Sequence, residues 1–243
     1  MKFHVLGTGS KGNGYLLISE KSEVLIIEAG LKLLDVKKSL SYNLTGVVGC
    51  VLSHLHMDHS KYVKDYLANG IDLYASRGTL EALKLQDHYR SHAMKQGQSV
   101  QIGSFKVLPF DIVHDAPEPF GFLIQHPEMG TALFLTDTHY SKYKFNGLNH
   151  MIVEINYSDE ILDKKNTPQF LRDRIINSHL SLENCLGMLD ANDLSKVRNI
   201  ALIHLSDRNS DEQAFVNAVV NKTGIPTHGC NAGDVLDFSL EPF

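Results

Sequence analysis

The residues with the clearest chemical potential are His54-x-His56-x-Asp58-His59, crowded together directly after an apolar run. Imidazole nitrogen and carboxylate oxygen are donors that zinc, manganese and iron accept. In a loop at a sheet edge, two alternate histidines can point the same way and meet one cation, while Asp58 and His59 face a second. A polar loop that merely happens to be rich in histidine is the bland alternative, and with 13 histidines in 243 residues the pattern seldom arises by chance. Three more donors stand where apolar runs stop: His114 after 110–113, Asp137 after 133–136 and His204 after 201–203. From such positions a side chain can reach a cleft beyond the end of a strand. Each alone reads as a boundary residue. Together with the first cluster they read as donors to a pair of divalent cations, whose chemistry is hydrolysis by an activated water.

The elements that must position these donors are legible from periodicity. Short apolar runs at 3–6, 15–18 and 24–27, broken by glycine, predict strands with tight connections. Leu31, Leu34, Val36 and Leu40 follow a helical spacing, and the run 47–52 leads into the histidine cluster. Strand spacing returns at 100–102, 105–108, 120–124, 132–135 and 151–155. Helices are expected over 169–176, 182–189 and 212–220, with a strand at 200–203 between the last two. No repeat, low-complexity stretch or Pro/Ser linker interrupts the chain, so residues 1–243 read as a single continuous domain. Strand runs flanked by helices in two places predict an α/β protein with two sheets face to face and helices outside, an αββα sandwich.

Composition narrows the class. With 43% hydrophobic and 21% charged residues the chain reads as an ordinary globular protein. The first residues meet glycine too early for a signal peptide, and no apolar stretch approaches membrane-span length, so the expected location is the cytoplasm, bacterial or that of a phage host. Cys50, Cys185 and Cys230 are scattered and form no CxxC pair, which predicts three small buried residues, neither disulfides nor a thiolate metal site. The net charge is −5, and Lys32, Lys37, Lys38, Lys61 and Lys64 are interspersed with acidic and neutral residues. A long nucleic-acid footprint normally carries a basic face, so this balance disfavours one.

Read in order, Gly9-Ser10-Lys11-Gly12-Asn13, the His54–His59 cluster, His114-Asp115-Ala116-Pro117-Glu118-Pro119, Thr136-Asp137-Thr138, Ser178-His179-Leu180-Ser181 and His204-Leu205-Ser206 resemble the motifs of metallo-β-lactamase-fold phosphodiesterases. The resemblance covers nearly the whole chain and is closest to the branch holding RNase Z, the YycJ (WalJ) proteins and the phage anti-Pycsar cyclic-nucleotide phosphodiesterases. It implies one αββα metallo-β-lactamase domain of two mixed sheets. It implies one metal on His54, His56 and His114, a second on Asp58, His59 and His204, and Asp137 bridging both. The ions would be zinc, with manganese as the alternative. Asp58, His179 and Glu154 would be catalytic: Asp58 orienting the attacking water, and His179 donating a proton to the leaving group near its unperturbed pKa. Glu28-Ala29-Gly30 stands where the family often has Asp-Ala-Gly, and its acid is expected to brace a loop. Ser10 and Asn13 are candidates for phosphate contact, and Asn156 for substrate contact.

The substrate is less constrained. The interval from His59 to His114 already reads as helix, strand, helix and two strands, leaving little room for the tRNA-gripping arm of RNase Z proteins. The interval from Asp137 to His179 is too short for a β-CASP domain. The segment 86–95, rich in aromatic, histidine and cationic side chains, reads as a solvated loop or as a lid or dimer contact, in which Tyr89 and Arg90 would cover a neighbour's cleft. A homodimer is expected. The segments 137–140, 154–157 and 204–210 resemble the anti-Pycsar group more than RNase Z. That resemblance implies hydrolysis of a 3′,5′-cyclic mononucleotide such as cCMP or cUMP, which would block cyclic-nucleotide anti-phage signalling. The alternatives are a YycJ-like nuclease acting on DNA or RNA and a protein that sequesters a nucleotide without turnover.

Overall fold

The computed structural model describes residues 1–240. The first half holds β1 (Lys2–Gly7), β2 (Gly14–Ile18), β3 (Val24–Ile27), α1 (Leu33–Ser39), β4 (Val47–Val51), α2 (Met57–Ser60), α3 (Val63–Ala68), β5 (Leu73–Ser76), α4 (Arg77–Ala82) and β6 (Ser91–Met94). The second holds β7 (Val100–Ile102), β8 (Phe105–Asp111), β9 (Phe120–His126), β10 (Gly130–Leu135), β11 (His150–Glu154), α5 (Asp159–Lys164), α6 (Gln169–Ser178), α7 (Leu182–Ala191), β12 (Asn199–Ile203), α8 (Glu212–Thr223), β13 (Thr227–Gly229) and β14 (Val235–Asp237).

These strands form two seven-stranded sheets, ordered β14-β1-β2-β3-β4-β5-β6 and β13-β12-β11-β10-β9-β8-β7. Each sheet is mixed in the same way. In the first, β14, β1, β2 and β3 pair antiparallel, and β3, β4, β5 and β6 parallel. In the second, β7 to β10 pair antiparallel and β10 to β13 parallel. The parallel strands are the near-continuous apolar runs, β3 (VLII) and β11 (HMIVE) being buried at every position, as strands covered on both faces must be.

Three apolar layers follow from strand alternation. Between the sheets, Phe3, Tyr15 and Leu25 meet Phe122, Phe134 and Ile152. On the outer face of the first sheet, Leu16, Ile26 and Cys50 pack under α1, α3 and α4 through Val36, Tyr66 and Leu80. On the outer face of the second, Leu133, Met151 and Leu202 pack under α7 and α8 through Leu189 and Phe215. Along β10, Ala132 and Phe134 therefore face inward while Leu133 and Leu135 face the helices. The order helix, sheet, sheet, helix is the αββα sandwich expected. All three cysteines are buried and free.

Two readings need correction. The segment 86–95 ends in β6, which pairs parallel with β5 through Leu73↔Ser91 and Ser76↔Met94; its histidine and tyrosine obscured an edge strand only four residues long. The short strands β13 and β14 also escape the apolar pattern, because each has only three residues, with one buried in β13 and none in β14. Among the described residues no helix is long and apolar enough to cross a membrane.

His150 opens β11 at the end remote from Glu154. Its ring lies fully buried against Phe238 at 4.3 Å and 7°, and neither nitrogen makes a well-formed hydrogen bond. Burial, reinforced by Arg198, lowers its pKa to about 4. The unfolded chain therefore binds a proton near pH 6.5 that the folded chain refuses, so stability is present above that value and is lost as pH falls toward 4. From the two values this amounts to about 3 kcal/mol. His150→Phe should remove that part of the acid destabilisation, read as a smaller drop in the urea midpoint between pH 6.5 and 4 than in the parent.

Candidate metal centre and active site

The predicted donors converge at the carboxyl ends of the central strands. His54, His56, Asp58 and His59 follow β4, Asp137 follows β10, Glu154 ends β11, His204 follows β12 and His114 lies beyond β8. Two sets of candidate donor atoms, each within 4.8 Å of one another, are His54/His56/His114 and Asp58/His59/Asp137/His204, and a third joins Asp137, Glu154, His179 and His204. His114 Nε2 faces His56 Nδ1 at 2.9 Å. Asp137 lies 2.7 Å from His59 Nε2 and 3.4 Å from His54 Nε2 through Oδ2, and 3.1 Å from His179 Nδ1 and 3.4 Å from His204 Nδ1 through Oδ1. Asp58 Oδ2 is 3.4 Å from both His59 Nε2 and His204 Nε2.

Local backbone geometry aims these side chains. Glu28, Asp137 and His204, each just past the end of a strand, have φ of 69°, 47° and 54°. Non-glycine residues enter this left-handed region at a cost, and here it turns the chain so that the side chain points back over the sheet end. A close approach seals the other side: a Cβ on Gly30 would sit 1.7 Å from the Asp58 carbonyl oxygen, so only glycine lets the β3–α1 turn pass the His54–His59 loop. His179 is held by its neighbours. It is the extended C-cap of α6, Leu180 is buried in the outer core, and Ser181 caps α7 by accepting from the Asn184 amide. Asn156 N–H donates to the Leu180 carbonyl, stitching this segment to the end of β11.

Outer contacts fix one nitrogen of several rings and leave the other for the cluster, the arrangement that orients metal-binding histidines. His114 Nδ1 sits 3.1 Å from the Ser178 carbonyl and His54 Nδ1 2.8 Å from Ser53 Oγ, whereas His59 Nδ1 makes no hydrogen bond and lies 3.5 Å from Glu28 Oε2. Glu28, expected only to brace a loop, thus also faces a site histidine; a lone acid closing the apolar run of β3 was the available signal. Burial and the neighbouring His59 lower the His54 pKa well below its ordinary value, which keeps its lone pair free. Burial opposes ionisation of Asp58, yet His204 and His59 hold its carboxyl far below the usual range.

His179 departs from expectation. Burial disfavours its charge, but Glu154 at 2.7 Å and Asp137 overcome this and raise its pKa to about 10. Its proton is thus held more tightly than at the unperturbed value expected. Glu154, fully buried, also lies 3.1 Å from His204 Nδ1. It touches histidines and not the cleft, so it is a positioning residue.

The cleft over these groups has a volume of about 760 Å³, lined by His56, Asp58, His114, Asp137, His179 and His204, by Ser10 and Lys11, and by Leu171, Arg174 and Arg208. Ser10 is exposed there as expected. Asn13 is not: it is fully buried, accepting from the Gly9 amide at 2.8 Å and reaching His59 Nε2 at 3.1 Å, so it braces the glycine-rich loop against the cluster. Asn156 lines the cleft but donates to the His204 carbonyl at 3.1 Å, holding that residue's strained backbone. Tyr89 and Arg90 stay outside the cleft; Arg90 instead contacts Asp72 and lies over the Tyr89 ring. Sequence reasoning overlooked Leu171, Arg174 and Arg208. The spacing of Leu171, Arg174, Ile175 and Ser178 on one face of α6 was the signal for the first two.

The donor set fits divalent cations. His54 Nε2, aimed into the cluster, is buried with no hydrogen-bond partner, an expensive state for a polar atom unless a cation satisfies it. A nitrogen/oxygen set without thiolate suits zinc or manganese.

An αββα sandwich carrying a His/Asp cluster at its strand ends defines a metal-dependent hydrolase of the metallo-β-lactamase fold. Residues 25–205 match the Beta-lactamase superfamily domain, and the chain belongs to that family. It is similar to exodeoxyribonuclease YycJ of Bacillus anthracis, 29% identical over 246 residues that cover 92% of this chain and 90% of the relative. Exodeoxyribonuclease WalJ of Streptococcus pneumoniae is 26% identical over 238 residues, covering 91% and 87%. Among solved structures, the metallo-beta-lactamase fold protein YhfI from Bacillus subtilis superposes with a TM-score of 0.75 at 15% identity, over 97% of this chain and 99% of that one.

Metal content distinguishes a donor from a proton carrier. Asp137→Ala should lose both bound metal and activity, whereas His179→Ala should keep its metal by elemental analysis while turnover falls roughly 10²–10⁴-fold, the range for a lost general acid. Equal metal loss in the two variants would reverse the assignment of His179.

Proposed function

We propose that the protein is a phosphodiesterase that releases nucleotides from nucleic-acid ends, with DNA as the substrate class. The observation carrying this reading is the Glu154–His179 pair beside the donor cluster, with His179 Nδ1 held at 2.7 Å from the carboxylate. An imidazolium anchored in this way at the edge of the cleft has its other nitrogen to offer a departing alkoxide, the group released when a P–O bond breaks. The exodeoxyribonuclease names of the YycJ and WalJ relatives supply the substrate class.

In this reading His54, His56 and His114 would hold one ion and Asp58, His59 and His204 the second, with Asp137 close to both sets. Zinc is the proposed metal, with manganese as the competitor. When bound, the ions lower the pKa of a water and withdraw charge from the phosphate's non-bridging oxygens. Asp58 orients the attacking water, Ser10 is placed to contact a phosphate oxygen, and His179 protonates the leaving oxygen. Glu154 keeps His179 charged and turned toward the cleft.

A cyclic mononucleotide substrate keeps one supporting observation, the net charge of −5, which suits a compact singly charged ligand better than a long polyanion. The two readings separate cleanly in one assay. Metal-loaded protein is incubated with end-labelled DNA and RNA and with 3′,5′-cyclic mononucleotides, and the products are resolved by chromatography. Stepwise release of mononucleotides from DNA ends is expected, with kcat/KM falling steeply between about 50 and 200 mM salt. Opening of a cyclic mononucleotide with the DNA left intact would reverse the ranking.

A further inference from the structure

Outside the metal donors, the cleft carries a second chemistry. Helix α6 presents Leu171, Arg174, Ile175 and Ser178 to it, the i, i+3, i+4, i+7 face of the helix, ending one residue before His179. The charges elsewhere on α6 are internally satisfied: Arg172 pairs with Asp163, and Gln169 bonds to Asp173. Arg174 is exposed, turned into the cleft, and forms no ion pair among the described residues. The same contrast recurs in the loop between β12 and α8. Asp207 there pairs with Lys11 at 3.0 Å, while the adjacent Arg208 lines the cleft without a carboxylate partner among the described residues.

Two unpaired guanidiniums from separate segments thus flank a centre built for one phosphate. A guanidinium offers a planar fork of donors that matches phosphate oxygens, and its charge cannot be titrated away. Beside them the cleft offers apolar surface at Leu171 and at Met57, which is 64% exposed directly after His56. That is the mixture a nucleotide with its base and neighbouring phosphates calls for. A cyclic mononucleotide has a single phosphate, already met by the donor cluster, and gives the arginines nothing to bind.

We infer that Arg174 and Arg208 hold the phosphates on either side of the scissile one, so that the site selects an oligonucleotide end with a phosphate beyond the bond that is cut. The inference rests on the nuclease reading above and specifies how that site measures its substrate.

The test uses the metal-loaded full chain with a single-stranded DNA oligonucleotide and, separately, bis(p-nitrophenyl) phosphate, a diester lacking neighbouring phosphates. Arg174→Ala and Arg208→Ala should each raise KM for the oligonucleotide on the order of 10-fold, with kcat changed much less. Each should also make the slope of log kcat/KM against log salt shallower by about 0.7, the share of one phosphate on a single strand. Arg174→Lys should restore the slope, since it restores the charge, and Lys106→Ala, on β8 outside the cleft, should leave it unaltered. Metal content and melting temperature of the variants guard against misfolding. Variants that retain the parent's KM and slope on the oligonucleotide would overturn the inference while leaving the nuclease reading intact. Parent protein that turns over the small diester but no nucleic acid would overturn the nuclease reading itself, and this inference with it.

Discussion

A carboxylate buried in a shell of imidazoles is the interaction around which this structure is arranged. Asp137 is 2% exposed and lies within 3.4 Å of His54, His59, His179 and His204. Burial alone would force such a group to take up a proton. His204 and His59 win against burial, and the carboxyl is held well below its ordinary pKa. The anion can exist there only because cationic or cation-seeking groups surround it, and each of those must be brought in on a different element. Much of the backbone around the cleft serves that requirement, including the left-handed φ at Glu28, Asp137 and His204. The strain is local, of order 1–3 kcal/mol for each residue, and the cores above and below the sheets are what make it bearable.

The sheets explain how so many elements reach one point. Both pass from antiparallel to parallel pairing after the same number of strands, so β3 and β10 occupy equivalent places. Glu28 follows one and Asp137 the other. In the next position β4 delivers His54 and β11 delivers Glu154. Parallel strands share a carboxyl end, and side chains leaving several of them meet in the crevice beyond it. The two halves therefore contribute matching sets of polar groups to one centre, each supplying three imidazoles and two carboxylates.

What could be read in the sequence followed from how local the signal was. The HxHxDH cluster and the strand-end positions of His114, Asp137 and His204 depend only on neighbouring residues, and the sandwich follows from apolar runs of strand length. Tertiary contacts were not legible. Asn13 looked like a phosphate-binding residue in a glycine-rich loop, yet Gly9, Tyr15 and His59 enclose it. His179 looked like an ordinary titrating histidine, because its neighbours Glu154 and Asp137 come from distant strands. β6 was hidden because an edge strand with one buried residue in four need not alternate.

Net charge is a coarse guide to the cleft for a related reason. A total of −5 averages over the whole surface, whereas a ligand in a narrow cleft responds to the groups lining it. Here those include Lys11, Arg174 and Arg208. Two of these lie on segments distinct from the buried strand ends that carry the metal donors. α6 in particular rests on a small cluster of Tyr157, Leu162 and Ile175, while α5 also reaches the core that holds β11 and β12 through Ile161. The hydrolytic centre is thus anchored on buried strand ends, and Arg174, which would meet the rest of the substrate, sits on a helix held by a smaller cluster. Few buried contacts also mean low local stability, so α6 can shift at little cost to the fold. Such a division leaves substrate choice open to change through α6 and the loop after β12 without disturbing the geometry that breaks the bond.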